Sequence, residues 1–424
     1  MGIGPEGKRV AEATERRRWT IAFLLGLGVL VNYFDRVNLS VSHDALVGEF
    51  GITDVTFGFL LGAYNWTYAI CQLPSGVLLD KFGVRRVGCV STLLWSVASF
   101  AASITRGVGG FFAARFLLGI GEAPTFPANA KAIGYWFPSH ERSMATSVFD
   151  GAAKFASAIG VPLIGLMLLR IGWRLSFAAT GLLSFLYFLL FVTVYRDPQK
   201  KLSQHIENSS VPNRRAGICY LLRRRKVIGL ALGFGSYNYI FYLLLTWLPV
   251  YLSRALHIDL AHSFLYTGVP WLVATAGDVL VGGWLVDTLI RNGWNADRVR
   301  RVVLLGGTTM GLGILGAANA HTPGQALLWI SVSIGGLSAA APVGWSIPAL
   351  IAPGDSVGSV GGIMNLSNQI SGIAAPIITG YLVSGRQSFA AAFIVAAAYL
   401  VIGIGAYIFL LGEVETIALP SEPV

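Results

Sequence analysis

Asp35 and Arg36 stand side by side at the end of a long apolar run, in Val31-Asn32-Tyr33-Phe34-Asp35-Arg36-Val37-Asn38. Inside a bilayer each such charge costs about 2.5–3.5 kcal/mol on insertion scales, an expense that an apolar helix has no structural need to bear. A second base and acid, Arg115 and Glu122, lie seven residues apart in Arg115-Phe-Leu-Leu-Gly-Ile-Gly-Glu122. About two helical turns put both on one face of another apolar helix. Buried carboxylates beside guanidinium groups can take and release protons, and a guanidinium offers a fixed fork of donors suited to an organic carboxylate. Arg115 is thus expected either to contact a solute or to serve only as the partner of Glu122. Arg36 points about a quarter turn from Asp35, so it could serve a solute in one state and a carboxylate in another. Acids and bases on two membrane helices point to ion-coupled movement of a charged solute.

The elements that must hold these residues are membrane helices. Of the 424 residues 54% are hydrophobic and only 12% charged, and the mean hydropathy is +0.64, far from an ordinary soluble domain. Apolar stretches long enough to cross a bilayer fall at about 19–41, 54–79, 87–105, 111–133, 144–169, 174–194, 227–253, 264–288, 302–320, 325–350, 357–384 and 388–411. The expected fold is all-α and integral to the membrane, with twelve spans. Glycine is abundant inside them, which lets membrane helices approach closely. The first run is too long for a signal-peptide core and lacks a convincing cleavage site, so it is expected to remain as a helix.

The net charge of +10 raises the question of a nucleic-acid partner, and the placement of the cations argues against one. Lys8, Arg9 and Arg16 to Arg18 precede the first span; Lys81, Arg85 and Arg86 follow the second. Arg196, Lys200, Lys201, Arg214, Arg215 and Arg223 to Lys226 lie between the sixth and seventh, and Arg291, Arg298, Arg300 and Arg301 follow the eighth. The opposite loops hold only Arg106, Arg170, Arg174, Arg254 and Arg386. The positive-inside rule puts both termini and the central loop in the cytoplasm, with lipid as the surrounding partner. Cys71, Cys89 and Cys219 have no metal-ligand spacing and predict no disulfide framework, and no metal site is expected.

The long polar interruption from about Tyr195 to Lys226 divides six spans from six. The division gives a cytoplasmic N-terminus at 1–18, an N-terminal half at 19–194, a basic linker at 195–226, a C-terminal half at 227–411 and a cytoplasmic tail at 412–424. The halves echo each other. Gly76-Val-Leu-Leu-Asp80-Lys81-Phe-Gly83-Val-Arg85-Arg86 follows span two, and Gly283-Trp-Leu-Val-Asp287 with downstream arginines follows span eight. A repeated loop signature implies two parallel-duplicated halves with the solute site between them at mid-membrane. Asp80, Gly83, Arg86 and Asp287 are expected as gate residues at the cytoplasmic ends.

That loop resembles the signature of the major facilitator superfamily over about residues 19–411. Asn32-Tyr33-Phe34-Asp35-Arg36, Tyr64-Asn65-Trp66-Thr67-Tyr68, Gln72-Leu73-Pro74-Ser75-Gly76 and Arg115 through Pro124 are similar to the organic-anion:cation symporter branch. That branch includes bacterial galactonate and hexuronate proton symporters and animal sialic-acid and vesicular glutamate carriers. The resemblance implies proton coupling at Asp35 and Glu122, with Tyr33 and Tyr68 beside the site. The sequence departs from the sugar-acid relatives at Phe149-Asp150-Gly151-Ala152-Ala153-Lys154-Phe155, where those often carry an Asn and a Gln-aromatic pair. Lys154 is either an i, i+4 partner of Asp150 or an extra cation in the cavity. In the second half, Trp345, Asn365 and Gln369 are the expected uncharged contacts, with Tyr237, Tyr239, Tyr242 and Asn368 as further polar groups. Asp278 sits in span eight without an obvious local base.

The expected function is proton-coupled symport of a small organic anion, a sugar acid such as an aldonate or hexuronate, into the cytoplasm by alternating access. Arg36, Arg115 and Lys154 bring three positive charges against two from Asp35 and Glu122, so proton and anion should favour each other's binding. The alternatives are uptake of a dicarboxylate or aromatic carboxylate, and exchange or facilitated diffusion without protons. A membrane enzyme lacks support in the sequence: no nucleophile elbow or Walker loop appears, and Gly311-Leu-Gly313-Ile-Leu-Gly316 follows no strand. A transporter-like sensor is a further class, but no signalling domain is appended. No cofactor beyond protons is expected, and the protein is expected to be a monomer. Short loops and termini favour a bacterial inner membrane.

Overall fold

Within hydrocarbon every backbone polar group must be satisfied inside its own segment, so apolar runs of this length become helices. The computed structural model describes residues 5–137, 142–197, 217–320, 322–353, 357–386 and 389–418, and among these there is no strand. In the first half the helices are α1 (Pro5–Val41), α2 (His43–Phe50), α3 (Asp54–Ser103), α4 (Val108–Glu122), α5 (Thr125–Trp136) and α6 (Arg142–Val194). The second half begins with the short α7 (Ile218–Leu222) and α8 (Arg225–Ala255). Next come α9 (Leu260–Ala276), a π-helical stretch Gly277–Leu285 and α10 (Val286–Arg291), which together make one continuous span. It closes with α11 (Ala296–Met310), α12 (Ile314–Ala318), α13 (Pro323–Ile351), α14 (Val357–Arg386) and α15 (Ala390–Gly405).

Two of these helices are too long to be single spans, and glycine divides each. Gly83 (φ 80°, ψ 167°) breaks the 50 residues of α3, and Gly172 (φ 77°, ψ 166°) breaks the 53 of α6. Only glycine enters that region without strain. Gly293 (φ 88°) likewise turns the chain between α10 and α11, in the loop that corresponds to the one holding Gly83. With α4 and α5 as the two pieces of span four, the described helices supply six spans on each side of the linker. Among the described residues seven stretches are long and apolar enough to cross a membrane by themselves, and one of these, Val148–Val194, contains two spans. Others fall short: α4 has only 15 residues before the chain bends into α5, and α14 carries the polar Asn365, Asn368 and Gln369.

The N-terminal basic segment is not separate from the membrane helix, because α1 starts at Pro5 and runs on into span one. Most of the linker, 198–216, lies outside the described residues. The tail packs along the base of the second half: Ile417 N–H donates to Ile351 O (2.9 Å), and Val414 N–H to Asp297 Oδ1 (3.0 Å).

The halves touch at the end remote from the basic loops. Asn65 Nδ2 donates to Gly372 O (2.9 Å), Trp247 Nε1 to Pro376 O (3.2 Å) and Ser40 Oγ to Thr246 O (2.6 Å). Close approach is possible because Gly58 faces Pro376, where an added Cβ would sit 2.7 Å from the carbonyl oxygen. Toward the basic loops, Gly76 of α3 and Gly361 and Gly362 of α14 face open space. The chain thus forms a V closed at one end.

A charged latch sits at the closed end. The chain reverses by 118° between α2 and α3, where buried His43 has Asp44 Oδ1 2.8 Å from Nδ1 and Asp54 Oδ1 2.9 Å from Nε2. Arg254 of the second half reaches the same carboxylates, at 3.1 Å (Asp44) and 3.0 Å (Asp54). Hydrogen bonding to His43, with the nearby Arg254 charge, holds the Asp44 carboxyl below its ordinary range. A depressed carboxylate contributes stability above its unfolded pKa that is lost as pH falls through the folded one. Acid below about pH 4 should therefore loosen the latch. Arg254→Gln should open this end. Spin labels at residues 48 and 255, in a background lacking Cys71, Cys89 and Cys219, should report a longer mean distance, and an unchanged distribution would show that the latch does not hold the halves.

Candidate substrate and ion-coupling site

At the apex of the V a chamber of about 80 Å³ lies between the halves. Tyr33 and Arg36 of α1, Tyr68 of α3, and Asp150 and Lys154 of α6 line one side. Tyr237, Asn238 and Tyr242 of α8, Trp345 of α13, and Asn365, Asn368 and Gln369 of α14 line the other. Sites for drug-sized ligands run to several hundred Å³, so the walls must part or side chains turn before a solute is fully enclosed. Trp345, stacked edge-on against Phe234 at 5.2 Å and 40% exposed, has room to do so.

Arg36 is the centre of the charged side. Its Nε donates to Glu122 Oε2 at 3.1 Å, with both side chains buried. The guanidinium carbon sits 4.5 Å from the ring centroid of Tyr33, 4.7 Å from Tyr64 and 5.6 Å from Tyr68. A planar, weakly hydrated cation suits such an aromatic cage. Its Nη2 has no hydrogen-bond partner among the described residues, and neither has Glu122 Oε1. A buried donor without a partner costs about 1–3 kcal/mol, more when charged, so Arg36, a residue of the chamber lining, carries an unpartnered donor.

Asp35 and Arg115 lie outside the chamber lining. Asp35 turns away from the chamber and accepts a hydrogen bond from Ser184 Oγ of α6 (2.8 Å). Arg115 donates to the main-chain oxygen of Asp35 (3.3 Å) and lies 5.7 Å from the Tyr64 ring, but it is not among the chamber-lining residues. Of the two bases that could pair with Glu122, Arg36 on α1 does so, and no Arg115–Glu122 ion pair forms among the described residues. Of the two arginines expected as solute contacts, Arg36 lines the chamber and Arg115 does not.

In the second half, Asn238 Nδ2 donates to Asn368 Oδ1 (2.9 Å), and Asn368 Nδ2 lies 3.5 Å from Asn365 Oδ1. Gln369 Oε1 is buried without a partner among the described residues. Tyr239 leaves the group and packs on Tyr399. Lys154 meets both readings at once: its Nζ is 2.9 Å from Asp150 Oδ2 and it lines the chamber. It also meets Asp278 Oδ2 of the other half at 2.5 Å, so Asp278 has a base after all, one that no local pattern could reveal. The side chain of Asp80 lies outside the described set. Gly83 forms the turn noted above, with an added Cβ 2.9 Å from Asp197 Oδ2. Arg86 and Asp287 are exposed and pair with no described residue, consistent with separated ends on that face. No group of His, Cys, Asp and Glu that could hold a metal occurs among the described residues.

The model of the Major Facilitator Superfamily matches residues 25–296. The chain belongs to this superfamily. It is 38% identical, over 95% of its length and 96% of the relative's, to the uncharacterized transporter YybO of Bacillus subtilis (strain 168). It is 30% identical to the D-galactonate transporter of Escherichia coli O6:H1, over 95% and 97% of the two chains. Identity is 29% to the probable galactarate/D-glucarate transporter GudP of Bacillus subtilis (strain 168), over 99% and 96%. Among solved structures, a D-xylose-proton symporter superposes with a TM-score of 0.75 at 18% identity, over 94% of this chain and 99% of that one; this likeness concerns the fold. The protein is a multi-pass transporter of this superfamily and not an enzyme.

Breaking a buried ion pair from one side is worth about 3–5 kcal/mol. Glu122→Ala should therefore lower the melting temperature in detergent well below that of Glu122→Gln, whose amide oxygen still accepts from Arg36 Nε. Equal melting of the two variants would mean that the pair is not what holds Arg36 in its cage.

Proposed function

We propose that the protein is a proton-coupled symporter carrying a small organic anion, a sugar acid, into the cytoplasm by alternating access. The observation that carries this reading is Arg36, a buried guanidinium with one donor on Glu122 and another unpartnered in the wall of the chamber. While Glu122 is ionised it neutralises Arg36; a proton on Glu122 releases positive potential that an anion can match. Asp35, buried on the other side of Arg36, is the second proton carrier, and Arg115 positions it through its main chain. Proton and anion thereby favour each other's binding, which is coupling by linkage. The sugar-acid relatives support the choice of anion.

The solute contacts are Arg36 with Tyr33 and Tyr68, and across the chamber Trp345, Asn365 and Gln369. These phenol, indole and amide groups suit the hydroxyls and carbon chain of a sugar acid. The positive-inside rule assigns the open face of the V to the cytoplasm of a bacterial inner membrane, so the structure is an inward-facing state. Asp80, Gly83, Arg86 and Asp287 would join that face when the other end opens. The working unit in this reading is a monomer in lipid, with the proton as coupling ion and no further cofactor.

Reconstituted in proteoliposomes with an imposed pH gradient, the wild type should accumulate D-galactonate. Asp35→Asn and Glu122→Gln should abolish accumulation while at least one still binds the anion, since an amide mimics a protonated acid. Gradient-insensitive uptake by the wild type would instead indicate exchange or facilitated diffusion. Arg36→Lys should weaken D-galactonate binding by calorimetry more than tenfold, about 1.4 kcal/mol, because a point ammonium cannot replace a fork. Arg115→Lys should stay within about threefold and chiefly lower the melting temperature; the reverse ranking would return Arg115 to the chamber.

A further inference from the structure

The chamber wall carries a second buried cation besides Arg36, in a different setting. Lys154 is held by Asp150 one turn away on α6 and by Asp278 of the second half. The Lys154 and Asp278 side chains are 4% and 1% exposed, and Asp150 is 17% exposed. An ammonium has three N–H donors. One is donated to Asp150 Oδ2, Asp278 Oδ2 stands beside the ammonium as an ion-pair contact, and donors remain on a residue that lines the chamber. One positive charge here faces two negative ones. The other titratable groups in the lining are the Tyr33 phenol of α1, the Tyr68 phenol of α3 and the Tyr237 and Tyr242 phenols of α8, with Arg36 the further charge.

Asp278 does not sit on a regular helix. It lies in the nine-residue π-helical stretch Gly277–Leu285, a distortion that re-aims side chains and concentrates at functional sites. Because Asp278 belongs to the second half and Lys154 to the first, any rocking of the halves changes their separation, whereas Asp150 travels with Lys154.

We propose that Lys154 is a second anchor that exchanges Asp278 for an anionic group at the far end of the solute, so the preferred substrate class is a dianion such as an aldarate. Arg36 takes one carboxylate and Lys154 the other. This deepens, and rests on, the reading of the chamber as an organic-anion site. Excess negative charge around Lys154 repels the second carboxylate until a proton neutralises Asp150 or Asp278, so the preference for a dianion should be larger in acid.

Galactonate and galactarate test this, since they differ at one terminal carbon, a hydroxymethyl group against a carboxylate. Calorimetry on the purified full-length protein should show galactarate binding at least tenfold tighter, with a greater ratio at pH 6 than at pH 8. Lys154→Gln alone would leave both Asp150 and the fully buried Asp278 without their cation, so the informative variant is Lys154→Gln with Asp278→Asn, which removes the charge pair between the halves and leaves only the partly exposed Asp150 charged. It should fold and bind the two anions within about threefold of each other. Equal affinities in the wild type, or galactonate binding alone, would overturn the second anchor and leave the organic-anion site standing. Retained preference in the double variant with only a lowered melting temperature would reduce Lys154 to a strap between the halves. A wild type that binds neither anion overturns both readings.

Discussion

A guanidinium buried in a membrane protein needs a counter-charge and a shell that replaces water, and much of the first half is arranged to give Arg36 both. Glu122 supplies the charge from α4. Tyr33, Tyr64 and Tyr68 supply electron-rich faces from α1 and α3. For Glu122 to reach α1 and for Tyr64 to lie under Arg36, α3 and α4 must pack at backbone distance. Gly119 permits this: an added Cβ would stand 2.3 Å from Tyr64 O. Gly121 does the same against Trp95 of span three, at 2.8 Å from its main-chain nitrogen. The glycines around Glu122 are thus the steric condition for the ion pair.

The same small-residue logic shapes the contact between halves. Gly268 brings α9 to α6, where an added Cβ would lie 2.5 Å from Ala158 O, and Gly58 brings α3 to α14. Such contacts have little hydrophobic driving force within lipid and rest on packing and a few hydrogen bonds. They can therefore be broken and remade, as a rocking mechanism requires. The latch at His43, Asp44, Asp54 and Arg254 adds charge at the rim, where water can screen it once it opens.

Hydropathy revealed the twelve spans, the two halves and the basic face, because each follows from local composition. The repeated loop was legible through Gly83, whose backbone conformation only glycine tolerates. The chemistry was legible as residue types and less so as partners. Arg115 and Glu122 are seven residues apart and share a face, but tertiary packing gave Glu122 to Arg36, whose partners come from three helices. Asp278 found its base in Lys154, far away in the chain, and its aim depends on a π-helical turn for which Gly277, Gly282 and Gly283 are at most a faint signal. Among the three tyrosines of one span, Tyr237 and Tyr242 line the chamber while Tyr239 packs on Tyr399, a distinction that residue type alone does not carry.

If the carrier is coupled to protons as proposed, the placing of its charges accounts for how it would refuse to move protons alone. Asp35 and Glu122 balance Arg36 and Arg115, so that cluster is neutral when its acids are ionised, and a neutral cluster can be sealed from water at modest cost. One proton without an anion leaves a net positive charge, and enclosing that in a low-dielectric interior is expensive. An anion beside the unpartnered Nη2 of Arg36 restores neutrality and removes the obstacle. The Asp150–Lys154–Asp278 group enters the same account with one surplus negative charge, so closing around it favours one more proton. On this reading coupling needs no dedicated gate: it follows from the cost of closing two helical halves around unbalanced charge, and Arg36 and Lys154 are where that charge is balanced.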